Sequence, residues 1–159
     1  MKFLCDHMLG TLAKWLRFLG YDTAYPGPLE DAALMETCAR EGRVLLTRDK
    51  ELASRAPNAL RIQSEILERQ MEEVTKAFGL RTDRALSLCS LCNVQIVPLI
   101  REEAQGQVPE GVFARQTEFW RCPSCHRVYW KGSHYDAMMR QIESLGNPNA
   151  PDGAAPPKA

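Results

Sequence analysis

The sequence predicts an α/β fold in which a small open parallel sheet carries helices on both faces and a smaller module follows. Short apolar runs alternate with helix-like apolar patterns through the first 80 residues, as they do in parallel α/β sheets. The run RVLLT shows no polar alternation, which is typical of a parallel strand that is covered on both faces. After residue 85 this alternation stops, so a second kind of structure is predicted there.

The first part divides into four strand and helix pairs. In chain order, the predicted strands are KFLCD, DTAYP, RVLLT and ALRIQ. The helix after the first strand ends at Gly20, and the helix after the second strand ends at Gly42. A short helix around residues 50–55 follows the third strand, and a longer one that ends at Gly79 follows the fourth.

The second part is predicted to contain strands and one closing helix. Its extended runs are VQIVPLI, EFWRC and RVYW, and a polar connection with Gly106, Pro109 and Gly111 lies between the first two. The segment GSHYDAMMRQIESLG is predicted as a helix, and the Pro-, Ala- and Gly-rich tail after it as disordered. We therefore divide the chain into a first domain at 1–82, a second module at 83–146 and a tail at 147–159.

The bulk composition indicates a soluble globular protein. Hydrophobic residues make up 45% of the chain and charged residues 25%, with a formal net charge of zero, so nucleic-acid binding must come from local patches. No apolar run approaches the roughly 18 residues that a membrane span needs. Asp6 and His7 interrupt the apolar N-terminal segment, which disfavours a signal peptide. We expect a cytoplasmic protein without membrane association.

Four of the six cysteines form two C-x-x-C pairs with 29 residues between them, Cys89 with Cys92 and Cys122 with Cys125. This spacing lets each tight turn direct two thiolates at one metal, and two turns complete a tetrahedral zinc site. We predict a structural zinc in a zinc ribbon. Four thiolates leave no open position for substrate, so the zinc would not be catalytic and His126 would be surplus as a ligand.

Disulfides, a redox pair and haem attachment fit these cysteines less well than zinc does. Disulfides are disfavoured in the expected compartment, and a thioredoxin-like pair would stand at the start of a helix rather than between two strands. CPSCH also matches the c-type haem attachment pattern, which leaves the second C-x-x-C pair without a role. Cys5 and Cys38 fall on apolar faces and are predicted as small buried residues.

Basic and aromatic residues gather around the second cysteine pair. They are Arg115, Arg121, Arg127, Lys131, Phe119, Trp120, Tyr129 and Trp130. Such a surface could bind single-stranded nucleic acid. Alternatively, the aromatic side chains cover the small core of the ribbon and dock it on the first domain, which is the interpretation we favour for most of them.

Three aspartates stand at comparable places in the first domain. Asp6 follows the first strand, Asp31 opens the second helix, and Asp49 follows the third strand. Each could simply cap a helix. However, ligands of parallel sheets bind beyond the carboxyl ends of the strands, and carboxylates that meet there repel one another unless a cation joins them. Hard oxygen ligands select Mg²⁺ or Mn²⁺, and such a centre can support phosphodiester cleavage by activating water and stabilising the leaving oxygen.

Other charged residues follow the RVLLT strand. Glu51 is a further candidate ligand or a base for water, and it is the least certain member of the set. Thr47 could orient the site, and Arg48 or Lys50 could meet a phosphate, although Lys50 could equally be a solvated side chain.

Four segments in register carry a family resemblance. DHMLGTLAKWLRFLGYDTAY, EGRVLLTRDKEL, CSLCN and CPSCHRVYWKGSHY resemble the family named for the C-terminal ribonuclease domain of the mut-seven exonuclease proteins, over about residues 2–146. That family is a PIN-like nuclease domain with an attached zinc ribbon. The resemblance implies that Asp6, Asp31 and Asp49 are the acids of the nuclease site. Related domains often carry a D-x-D pair at the third place, whereas Glu51 stands at its second position here, so the fourth ligand stays open.

The leading functional hypothesis is a hydrolase, an Mg²⁺- or Mn²⁺-dependent ribonuclease whose zinc ribbon helps to bind single-stranded or structured RNA. The alternative is a catalytically inactive RNA-binding or ribosome-associated adapter. A receiver-like phosphoryl-transfer domain would also place aspartates at strand ends, but it gives no reason for the ribbon. A toxin role, with an antitoxin as protein partner, is compatible with PIN-like folds.

Overall fold

The computed structural model describes residues 1–146, and its first domain contains the predicted parallel sheet. The four strands lie in the order β2-β1-β3-β4, and every neighbouring pair is parallel. Their bounds are β1 Lys2–Cys5, β2 Asp22–Ala24, β3 Val44–Thr47 and β4 Ala59–Arg61. The central strands are therefore the first and third in the sequence, as their uninterrupted apolar character requires.

Helices alternate with these strands, which confirms the predicted α/β class. A single 3-10 turn, His7–Leu9, precedes the first of them. The helices are α1 Gly10–Phe18, α2 Asp31–Glu41, α3 Lys50–Arg55 and α4 Leu67–Phe78. Gly42 and Gly79 end α2 and α4 in the left-handed conformation that glycine adopts most readily.

Alternate residues of the central strands point to two separate cores. On one face of the sheet, Phe3 and Leu46 pack in a core with α1 and α4. On the other face, Leu4 and Leu45 pack in a smaller core with α2 and α3. The two-residue period of a strand explains this division, because successive side chains point to opposite faces.

The second module is built on an antiparallel sheet in the order β5-β6-β7. Its elements are β5 Val97–Leu99, α5 Arg101–Ala104, α6 Glu110–Arg115, β6 Phe119–Arg121 and β7 Val128–Tyr129. We predicted only a polar connection between the first two of these strands, whereas it contains two short helices. They form because Ala104 and Val108 pack with Leu99 and Phe119 in a small core of their own.

The closing helix α7, Ser133–Gly146, packs on the first domain. Met138, Met139 and Ile142 lie in the same core as Phe3, on the face of the sheet that α1 and α4 cover. The chain thus returns to its first domain after the antiparallel sheet. The boundary at residue 83 stays a prediction, and the predicted disordered tail lies outside the described residues.

A buried arginine joins the two parts of the chain. Arg17 of α1 is only 7% exposed, and its guanidinium donates to the carbonyl oxygens of Thr23 at 2.8 Å and of Leu91 at 2.8 Å. The side chain of Asn93 accepts from the backbone N–H of Thr23 at 3.0 Å and donates to Asp22 Oδ1 at 2.7 Å. The first cysteine turn is therefore fastened to the edge strand β2.

Membrane-spanning length and hydropathy are not found together in any helix described within residues 1–146.

Candidate active site and metal centre

The predicted acids lie beyond the carboxyl ends of three adjacent strands. Asp6 comes directly after β1, Asp49 comes two residues after β3, and Asp31 begins α2, the helix that follows β2. Because the sheet order is β2-β1-β3, these three elements are neighbours at one edge. This is the edge at which open parallel sheets bind their ligands.

Asp6 is a buried carboxylate with three hydrogen bonds. Asp6 is only 4% exposed, and its Oδ2 accepts a hydrogen bond from the hydroxyl of Thr47 at 2.8 Å. Its Oδ1 accepts from the backbone N–H of His7 and lies 2.7 Å from Nδ1 of the same residue. A carboxylate removed from water needs such donors, and they fix its orientation.

Asp49 is joined to Asp6 through the same threonine. Its backbone N–H donates to Thr47 Oγ1 at 3.0 Å, while its Oδ1 caps α3 by accepting from the backbone N–H groups of Glu51 at 2.7 Å and Leu52 at 3.0 Å. The hydrogen bonds from the Leu52 and Glu51 amides lower the pKa of Asp49. Asp49 therefore has the capping role, and its Oδ2 accepts no hydrogen bond from residues 1–146.

Asp31 and Glu51 lie nearer the surface. Asp31 forms an ion pair with Arg55 of α3, and its side chain is 46% exposed. Glu51 is exposed, and its hydrogen bond to Asp49 uses its backbone rather than its carboxylate. Arg48 pairs with Glu65, so its guanidinium is already engaged.

These acids do not form a compact ligand cluster. Within the described part of the chain, the cluster of three or more potential ligands whose donor atoms all lie within 4.8 Å of one another consists of cysteines. Two of the acids are tied together by Thr47, and the third is held by an arginine. Joint coordination of one divalent ion by Asp6, Asp31 and Asp49, with or without Glu51, stays a prediction.

Sequence reasoning missed two residues of this edge. His7 contacts the Asp6 carboxylate, and a polar neighbour directly after the strand-end acid was the available signal. Arg55 neutralises Asp31 across 24 residues of sequence, and no local pattern announces that contact.

The two cysteine turns have equivalent backbone geometry. In the first, Asn93 follows Cys92 with a φ of +60°, and its N–H donates to the carbonyl oxygen of Cys89 at 3.0 Å. In the second, His126 follows Cys125 with the same φ, and its N–H donates to the carbonyl oxygen of Cys122 at 3.0 Å. His126 thus shapes a turn, which accounts for it without a ligand role.

The four sulfur atoms are arranged as a metal site. All of them lie within 4.8 Å of one another, and Cys89 Sγ lies 3.7 Å from Cys125 Sγ. The backbone N–H of Cys92 donates to Cys89 Sγ at 3.3 Å, and that of Cys125 to Cys122 Sγ at 3.4 Å. These donors, repeated in both turns, favour thiolates.

The ionisation of the thiols also fits a cation. Burial opposes ionisation of Cys89, but hydrogen bonds from the Tyr129 hydroxyl and the Cys92 amide outweigh it and lower the pKa of Cys89 to about 6. The hydrogen bond to Cys125 and burial raise the pKa of Cys92 to about 12. The thiolate of Cys89 forms easily, whereas the raised pKa values of Cys92 and Cys122 mean that those two thiols need a nearby positive charge before they ionise. Tetrahedral zinc supplies that charge, so the donor set is compatible with zinc.

The remaining residues around the ribbon follow the interpretation that we favoured. Phe119 is 2% exposed and belongs to the small core, while Trp120 and Tyr129 pack beside the cysteines. Of the basic residues, Arg121 pairs with Glu103. Cys5 and Cys38 are buried, as predicted, and burial raises the pKa of both thiols.

Comparison with protein-family models matches residues 1–142 to the family described as Mut7-C RNAse domain. The match spans both the parallel sheet and the cysteine turns. No curated protein and no solved structure matches the chain.

Proposed function

Because this chain belongs to the Mut7-C RNAse domain family, we propose that it is a metal-dependent ribonuclease that cleaves RNA at the carboxyl edge of its parallel sheet. One observation carries the proposal. Thr47 joins the buried carboxylate of Asp6 to the backbone of Asp49 and so fixes two acids on adjacent strands.

The chemistry of this edge suits a hard divalent cation. Asp6 and Asp49 offer carboxylate oxygens on a rigid frame, and Asp31 already binds a cationic side chain, that of Arg55. Oxygen donors of this kind select Mg²⁺ or Mn²⁺. When bound, the ion would supply electrophilic stabilisation of the charge that develops on the scissile phosphate.

The chain's own residues have separable parts in this proposal. Asp6 and Asp49 would hold the ion, and Thr47 keeps their relative position. Asp31 is a further candidate ligand and would hold the ion in place of its present partner Arg55. Glu51 stands at the start of α3 with an exposed carboxylate, where it serves as a further ligand or as a proton acceptor for the attacking water.

The zinc ribbon has a structural part. Its thiolates would hold one zinc ion, and the contacts of Arg17 and Asn93 fasten the first cysteine turn to β2. The ribbon thereby presents its surface in a constant position relative to the acidic edge, and this rigid placement supports a role in holding RNA next to that edge.

The test is RNA cleavage with matched aspartate variants. Wild type, Asp6→Asn and Asp49→Asn are compared on short single-stranded and hairpin RNA with Mg²⁺ or Mn²⁺. Both variants should lose about 100-fold or more of the cleavage rate, because each removes a charged metal ligand. Asp83→Asn, at an exposed aspartate that pairs with Arg81, should cleave like wild type. Unchanged cleavage by both site variants would remove this mechanism.

The result also decides for or against the second function. A chain that binds these RNAs with measurable affinity but leaves them intact with either metal would be an RNA-binding or ribosome-associated adapter. Asp49→Asn is the informative variant for both the ribonuclease and the adapter function. Asparagine caps a helix about as well as aspartate does, so this substitution should preserve the fold of α3.

A further inference from the structure

An aromatic side chain lies at the acidic edge without a part in the proposed cleavage mechanism. Tyr25 comes directly after β2 and is 38% exposed. Its hydroxyl donates to the carbonyl oxygen of His7 at 2.8 Å, and Nδ1 of His7 lies 2.7 Å from Asp6 Oδ1. The ring is therefore anchored one residue away from a proposed metal ligand.

The start of α1 leaves space for this ring. A Cβ atom at Gly10 would lie 2.8 Å from Tyr25 Oη and 2.9 Å from Cζ, closer than such contacts normally are. Glycine at this position lets the tyrosine lie across the beginning of the helix. The ring is thus held in place by a hydrogen bond at its tip and by close packing, while more than a third of the residue stays open to solvent.

Two further apolar side chains in the loops beyond β1 and β2 are exposed. Met8 is 46% exposed and Leu29 is 45% exposed. Exposed apolar side chains in the segments that follow β1 and β2 have no evident role in stabilising the fold. They suit a ligand that has a flat apolar face.

A cationic side chain lies at the other end of this row of strand ends. Arg61 ends β4, is exposed, and forms no ion pair within residues 1–146. It is the register partner of Thr47, the residue that joins the two acids. In the order of the sheet, the strand ends therefore present Tyr25, Asp6, Asp49 and Arg61. Three strand spacings separate the first from the last, about 14 Å.

We infer that Tyr25 is a stacking subsite for an unpaired base of single-stranded RNA, placed so that the adjoining phosphate reaches the divalent ion that the acidic edge would hold and a further phosphate reaches Arg61. The inference rests on the proposed ribonuclease function and names its substrate class. Single strands expose base faces to aromatic side chains, whereas the bases of an RNA duplex are already stacked on one another. An anchored ring beside acids and an exposed arginine complements such an alternation of base and phosphate.

The test measures RNA binding in the Asp49→Asn background, with the RNA checked for integrity after each titration. Tyr25→Ala and Tyr25→Leu should weaken binding of a short single-stranded RNA about 5- to 150-fold, the range expected for loss of one stacked base. Tyr25→Phe keeps the ring and should retain most of the affinity. Gly10→Ala should weaken binding by displacing the ring, although the tyrosine itself is unchanged.

Two controls isolate stacking from general effects. A duplex RNA of the same sequence should bind equally to wild type and Tyr25→Ala. A set of RNAs carries 2-aminopurine at a different single position in each. At the position that stacks on Tyr25, the fluorescence should change on binding to wild type and not on binding to Tyr25→Ala. Equal affinities of Tyr25→Ala and wild type, or a loss with Tyr25→Phe as large as with Tyr25→Ala, would overturn the inference.

Failure of the subsite and failure of the ribonuclease function give different results. If cleavage depends on Asp6 and Asp49 but the Tyr25 variants bind RNA normally, only the subsite is wrong. If the RNA stays intact while binding still depends on the Tyr25 ring, the ribonuclease function is wrong and the chain binds single-stranded RNA without cutting it.

Discussion

Thr47 donates its hydroxyl to Asp6 Oδ2 at 2.8 Å, and both residues are buried at the ends of adjacent central strands. The same hydroxyl oxygen accepts the backbone N–H of Asp49 at 3.0 Å. One side chain thus satisfies a carboxylate and a backbone donor at once. The position of two proposed ligands depends on it.

Thr47→Val should therefore lower both stability and cleavage. Valine has nearly the same shape but leaves the Asp6 carboxylate and the Asp49 N–H without their partner, at a cost of about 1–3 kcal/mol in the free energy of unfolding. Thr75→Val is the matched control, because the buried Thr75 hydroxyl has no hydrogen-bond partner in residues 1–146. Urea unfolding should show the loss for Thr47→Val and no loss for Thr75→Val. Equal effects of the two substitutions would contradict the linking role.

Arg55→Gln should increase the affinity of the acidic edge for Mn²⁺. Arg55 pairs with Asp31 and adds to the charges that lower the pKa of Asp49, after the amides of Leu52 and Glu51. It therefore competes with a divalent ion for the same carboxylates. Titration of Mn²⁺ by calorimetry should show tighter binding to this variant than to wild type. Arg40→Gln, which removes one of the two arginine partners of Glu41, is the control and should bind Mn²⁺ as wild type does. Weaker Mn²⁺ binding to Arg55→Gln would show that the arginine supports the site rather than competes for it.

Asp22 makes the stability of the chain sensitive to acid. Burial opposes its ionisation, but hydrogen bonds from Arg43 at 2.8 Å and Asn93 at 2.7 Å outweigh burial and lower its pKa below the ordinary 3.8. A carboxyl with a lowered pKa in the folded state stabilises the protein at pH values above its unfolded pKa. That contribution is lost as the pH falls through the folded value, which is below 3.8.

We expect Asp22→Asn to be less stable than wild type at pH 7 and to approach it in stability as the pH falls below about 4. Thermal unfolding from about pH 2.5 to about pH 7 measures the difference. The unfolding temperature of Asp83→Asn, at an exposed aspartate outside this network, should change with pH as that of wild type does. A constant difference between Asp22→Asn and wild type at all pH values would exclude the ionic contribution.

Gly20 lies where the two parts of the chain approach each other closely. Its φ is +87°, and a Cβ atom there would lie 2.3 Å from the carbonyl oxygen of Arg84. Gly42 also has a positive φ, +62°, but a Cβ atom there meets nothing within 4 Å. Gly42→Ala should therefore lower the free energy of unfolding only by the cost of a left-handed backbone at a residue with a Cβ atom, about 1–2 kcal/mol. Gly20→Ala should cost clearly more, because the backbone must also move. Equal losses in urea unfolding would mean that the close approach relaxes freely.

Much of this fold could be read from short-range patterns. The uninterrupted run at 44–46 predicted a covered parallel strand, and it lies in the centre of the sheet. The glycines at 42 and 79 predicted helix ends that the left-handed conformation confirms. Both signals are local, because they reflect the burial of one element or the backbone of one residue.

The parts that sequence missed depend on long-range contacts. The helices α5 and α6 are too short for a periodic pattern, and they exist because their apolar residues meet Phe119. The pair of Asp31 with Arg55 and the anchoring of Tyr25 on His7 arise only when separate loops meet at one edge. Strand-end acids could be predicted because topology alone collects them there, whereas their counter-ions and neighbours require the packed structure.

Zinc should be present at one ion per chain and should stabilise both sheets. Cys122→Ser removes one of four ligands and should abolish stoichiometric zinc in elemental analysis, while Cys38→Ser, a buried thiol outside the cluster, should retain it. Retention of full zinc by Cys122→Ser would contradict the four-thiolate assignment.

The effect of zinc should reach the parallel sheet through the first cysteine turn. Asn93 follows the ligand Cys92, and its side chain accepts the backbone N–H of Thr23 in the edge strand β2. Arg17 reinforces this link by donating to the carbonyl of Leu91 inside the turn. If zinc orders the turn, its removal frees both contacts, so amide hydrogen exchange at Thr23 should accelerate after chelation. The amide of Leu45, which donates to Asn58 on the far side of the sheet, should be much less affected. Acceleration confined to residues 89–128 would show that the ribbon melts on its own and that the link to β2 carries no stability.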